Sequence, residues 1–139
     1  MSKPSNKTIF FGVLIIGLFI FVVCLGQASD TNELEGIWKD PHQGWSFEFN
    51  GNNVKITAPS PEMSMEGTFT SDPSADPKEI DIKISKSGSP QYQGRTSLGI
   101  YKIEDILLTL ALSEPGSNDR PQAFSTSGGA MVFRVSKIK

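Results

Sequence analysis

The side chains of this sequence that could do chemistry are few, and their spacing decides against most reactions. His42 is the single histidine. It stands in Asp40-Pro41-His42-Gln43-Gly44, where Pro and Gly mark a turn. A zinc site would have to combine it with carboxylates alone, because the one cysteine, Cys24, lies in an apolar N-terminal run. Asp76, Glu79 and Asp81 cluster as ligands of a hard cation do, but without the glycine and the spacing of an EF-hand loop. Ser125, Thr126 and Ser127 offer hydroxyls, yet the only base is the distant His42 and no nucleophile elbow precedes them. Glu104-Asp105 reads as a pair of turn acids, which gives a glycosidase no support. The reading is therefore no catalytic residue, no metal set and no cofactor.

Two other kinds of residue carry more. Trp38, Trp45 and Tyr101 lie on alternating stretches, where aromatics either line a ligand cup or fill a core. Arg120-Pro121 sits in a long polar loop, and an Arg before Pro does not fit a helix. Its guanidinium could pin the loop to the body of the fold through Asp76, Glu79 or Asp81. The alternative is an anion-binding arm at the mouth of the fold.

The elements that must position these residues read as short strands. Thirteen Gly and nine Pro in 139 residues favour turns over long helices. Trp45 to Phe49 alternates strictly, and Asn50-Gly51 signals a hairpin into Val54–Thr57. Met63 to Thr70 alternates again, with Met63, Met65, Gly67 and Phe69 on one face. Ile80, Ile82 and Ile84 alternate with Asp81 and Lys83, a strand with one wet face. Leu98–Ile103 and Ile106–Leu110 flank Glu104-Asp105 as a tight hairpin. Ala123-Phe124-Ser125 reads as a short strand and Met131–Val135 as the last one. Gly36–Lys39 is the first. Eight to nine strands in sequence predict an all-β fold, a small antiparallel up-and-down barrel whose closure removes exposed edges. A β-sandwich is the alternative, since the loops before Ile80 and after Leu112 could cross between sheets.

The N-terminus reads as a separate leader. Lys3 and Lys7 precede Ile9–Leu25, an apolar run without a charge, and Gly26-Gln27-Ala28 places small residues at −3 and −1 of a cleavage site. Residues 1–28 are then a signal peptide and 29–139 the barrel domain. A retained membrane anchor is the alternative, and lipidation of Cys24 a third, disfavoured by Val23 before it. All three place the domain outside the cytoplasm, periplasmic or secreted, and membrane contact is expected only if the leader stays. Losing Lys3 and Lys7 leaves 11 basic against 15 acidic residues, net −4, without a basic cluster, which argues against nucleic acid.

Leu34-Glu35-Gly36-Ile37-Trp38-Lys39, Asp76-Pro-Lys-Glu-Ile-Asp-Ile, Gly99-Ile-Tyr101 and Asp119-Arg120-Pro121-Gln-Ala-Phe124, in this order, resemble an uncharacterised extracytoplasmic domain family abundant in planctomycetes. The resemblance covers nearly all of 29–139 and implies a lipocalin-like barrel without an assigned activity. Gly36-x-Trp38 is also similar to the Gly-x-Trp signature of lipocalins, which implies a basic residue of the final strand over the indole, with Arg134 as the positional candidate.

Two functional classes follow. One is a non-enzymatic exported binding module for a small apolar molecule, a glycan or a protein. The other is an envelope-associated interaction domain whose barrel is filled and holds no small ligand. The size of the interior side chains separates them. On the leader itself, N-terminal sequencing of extracellular material should find Ser29 first; an intact Lys3 in the membrane fraction would establish the anchor instead.

Overall fold

The structure, a computed structural model, describes residues 32–139. The leader, its cleavage at Ala28 and the anchor alternative lie outside the described residues. Eight strands form among them: β1 (Gly36–Lys39), β2 (Ser46–Asn50), β3 (Asn53–Thr57), β4 (Met65–Asp72), β5 (Lys78–Ser87), β6 (Thr96–Glu104), β7 (Leu107–Leu112) and β8 (Met131–Lys137). Each pairs antiparallel with the next, and β8 returns to β1, closing an up-and-down barrel. The sandwich is excluded.

Strand parity builds the interior. Phe47 and Phe49 point inward while Glu48 stays exposed; Ile80, Ile82 and Ile84 point inward while Glu79 and Asp81 are half-buried and Lys83 exposed on the outer face. Phe49 meets Phe69 edge-on at 4.9 Å between ring centroids, and Phe47 meets Phe133 at 5.2 Å. At β4 the register shifts between Glu66 and Gly67. A side chain at Gly67 would run into the Lys83 carbonyl, so the bulge needs glycine there.

Three boundaries differ from the sequence reading. The β6–β7 hairpin turns on Asp105-Ile106, one residue later than expected, because Asp105 adopts the left-handed backbone (φ 57°) and Glu104 still pairs with Leu107. Met63 belongs to a 3-10 turn, Pro61–Met63, where Pro61 stops the alternation, and β4 begins at Met65. Ala123-Phe124-Ser125 is not a strand. The Ser125 and Ser127 hydroxyls bond each other at 2.9 Å, and Ser125 Oγ accepts the Ser127 N–H, a local alternative to a ladder.

The closing seam involves Trp38. It is buried, its indole N–H donates to the Leu34 carbonyl at 2.8 Å, and Leu34 is buried beside it. The seam pairs Trp38 with Lys137 and Lys39 with Ser136. Lys137 Nζ stands 5.3 Å from the centre of the indole. Arg134 does not. It lies opposite Thr109 and is exposed, on the other face of β8 from Phe133 and Val135. The basic residue over the tryptophan is thus Lys137, because β8 runs two residues beyond Val135 and the parity of position 134 points outward.

A cation over an aromatic face at an exposed site contributes about 0.5–1 kcal/mol. Lys137→Met should therefore lower the free energy of unfolding in urea by an amount of that order in the wild-type background and by almost nothing with Trp38→Leu. Arg134→Met should leave stability within about 0.5 kcal/mol of wild type.

Candidate functional site

The barrel is filled at one end and open at the other. Leu34, Trp38, Phe49, Phe69 and Tyr101 are all buried and pack the end that carries the start of β1 and the β6–β7 hairpin. At the other end, where β2, β4, β6 and β8 begin and β3, β5 and β7 finish, the interior keeps a cavity of about 350 Å³.

Its wall comes from inward positions of seven strands. Phe47, Ile56, Ile82, Ile84, Leu112 and Phe133 form the floor and sides. Trp45 stands at the mouth, edge-on to Phe133 at 4.8 Å. Met63 and Met65 close one side and Met131 another. These are all the methionines of the chain besides Met1. Methionine is flexible and polarisable, and adapts to apolar partners of different shape.

The polar groups of the lining are committed to the fold. The Ser97 hydroxyl donates to the Ser113 carbonyl at 2.6 Å, and Ser113 Oγ accepts the Leu98 N–H at 3.0 Å. The Ser89 hydroxyl donates to the Glu62 carbonyl at 2.9 Å. Among the described residues, the charged groups lining the cavity are Glu62 and Glu114, both exposed at the rim. Tyr92 Oη donates to Glu114 Oε1 at 3.4 Å. Such a chamber can desolvate an apolar body.

Of the residues singled out from sequence, Trp45 lines the chamber and the others lie elsewhere. Trp38 and Tyr101 are in the filled end, each 1% exposed, with Lys78 Nζ 5.8 Å from the Tyr101 ring centre. Arg134 is on the outer surface. His42 is exposed in its turn, where the His42 and Gln43 N–H groups donate to Asp40 Oδ1. Those bonds, His42's first, hold the Asp40 carboxyl below its usual range. Among the described residues no three His, Cys, Asp or Glu side chains gather as metal ligands.

Arg120 is the anchor of a strap, the 113–130 connection between β7 and β8. Its Nη2 lies 2.7 Å from Asp81 Oδ1 and its Nε 3.7 Å from Glu79 Oε2, while Nη1 donates to the Gly99 carbonyl at 2.8 Å and the Ile80 carbonyl at 3.3 Å. That Asp81 oxygen is buried, and the guanidinium answers it by proximity of charge rather than by an aligned hydrogen bond. Further along, the Phe124 ring takes Lys102 Nζ at 5.0 Å. These contacts hold the strap on the outer face of β5 and β6. Ile100 and Ala111, which parity points out of the barrel, are accordingly buried.

No protein-family model, no curated protein and no solved structure matches the chain.

Lysine cannot reproduce the fork that reaches two carboxylates and two carbonyls at once. Arg120→Lys should cost about 1–2 kcal/mol in urea unfolding, and less at high salt. Limited proteolysis should then cut within 113–130 faster than in wild type. An unchanged cleavage rate would mean that other contacts hold the strap.

Proposed function

We propose that this chain is an exported, non-enzymatic binding module that takes a small apolar molecule into the open end of its barrel. The observation that carries the reading is the division of the interior. Leu34, Trp38, Phe49, Phe69 and Tyr101 fill one end, while at the other the side chains leave an apolar chamber of about 350 Å³ between them. Natural ligand pockets run from about 300 to 1,000 Å³, so the chamber suits a compact ligand or a single chain. A filled interaction domain has no use for that space, which counts against the envelope-scaffold alternative. The leader pattern and the resemblance to the extracytoplasmic family support export. The apolar lining, with its serine hydroxyls bonded to backbone groups, favours binding over catalysis.

The test uses N-phenyl-1-naphthylamine, a neutral apolar fluorophore. It should bind the full chain one to one with a gain in fluorescence. Met65→Trp puts a larger side chain into the chamber and should weaken binding at least about tenfold, a change of about 1.4 kcal/mol. A urea midpoint close to wild type would show that the barrel persists. The apolar N-terminal run is common to both proteins, so their difference isolates the chamber. Equal binding by both would refute the proposal.

A further inference from the structure

We infer that the mouth selects its ligand by charge, favouring amphiphiles with a cationic head, such as an alkylamine or quaternary ammonium, over neutral or anionic ones with the same tail. This rests on the binding reading above and adds the chemistry of the head group. The chamber of about 350 Å³ has room for roughly a dozen groups the size of a water molecule, at about 30 Å³ each, which is the scale of a medium alkyl chain or a fused ring. A tail seated there leaves its head at the rim.

The rim is made of acceptors and ring faces. Glu62 stands in the 3-10 turn Pro61–Met63, and Glu114 follows just after β7. Tyr92 is held beside Glu114 by its hydroxyl, and Trp45 is the second aromatic at the opening. Carboxylates and aromatic faces together are what an ammonium head needs, since it is attracted to both and asks for few directed bonds. No lysine or arginine is among the described residues lining the chamber. Arg95, close in sequence to Tyr92, lies against Gly116 instead.

An anionic head would find the opposite. Three backbone N–H donors near the rim are already committed: Ser89 N–H to Ser87 Oγ, Ser113 N–H to the Leu98 carbonyl and Gly116 N–H to the Thr96 carbonyl. It would also face two carboxylates with no cation among the residues lining the chamber. A neutral head loses neither way. The order follows from the rim alone.

Isothermal titration at low ionic strength with decyltrimethylammonium, 1-decanol and decanoate, each below its aggregation limit, tests this. The full chain should bind the cation about three- to tenfold more tightly than decanol, with decanoate weakest. Glu62→Gln with Glu114→Gln should bring the cation down to the level of decanol and leave decanol unchanged; the single variants should fall between. The leader is the same in every protein and cancels. Decanoate binding as well as the cation, or a preference that survives in the double variant, overturns the charge selection while leaving the chamber as a binding site. Failure of all three to bind overturns both.

Discussion

Everything in this fold depends on a short seam. β1 has four residues and meets β8 through two pairs, Trp38 with Lys137 and Lys39 with Ser136. Ile138 N–H to the Ile37 carbonyl continues it. Those few bonds turn a meander into a barrel and leave no open edge. Trp38 makes so short a seam sufficient, because its buried ring, tied to Leu34, plugs the interior just where the seam closes. Closure then sets the interior width. Eight strands enclose a space that side chains can fill or that can hold one small ligand, and little between.

This chain does both, at opposite ends. Trp38, Phe49, Phe69 and Tyr101 pack the end where β1 begins, and the chamber at the other end is lined by aromatics, branched aliphatics and methionine. The polar atoms near the mouth bond one another, so the chamber presents carbon inside and carboxylates at the rim. Outside, the strap lies against β5 and β6, fixed through Arg120, and the outward Ile100 of β6 and Ala111 of β7 are buried. The loop that looked most like a ligand arm is thus occupied with holding the barrel wall.

The barrel was legible in the sequence wherever one face of a strand is dry and the other wet. Phe47/Phe49 and Ile80/Ile82/Ile84 alternate without exception, and parity alone gives their orientation. The Arg120 anchor was legible for the same reason, since Glu79 and Asp81, two apart, had to share the outer face of β5. What failed depended on a single residue's backbone or on strand length. The turn at Asp105 is set by one positive φ, which Glu104-Asp105 does not announce. The extra residues of β8 moved the cation over Trp38 from position 134 to 137. Of the chamber, the alternating aromatics showed Trp45 as a cup or core residue, but not which end stays open. Its signal was the methionines, all three of which, after Met1, line the mouth, although Met63 and Met65 are distant in sequence from Met131.

The chain has two tryptophans, one at each end of the barrel, and their indole N–H resonances report on the two ends separately. Titrating the isotopically labelled protein with 1-decanol, the account requires the Trp45 indole signal to move and saturate. The Trp38 signal, bound to Leu34 inside the filled end, should stay in place and resist exchange with solvent. If Trp38 moves with Trp45 fixed, or neither moves while decanol binds, the barrel is not divided as described and the ligand lies elsewhere.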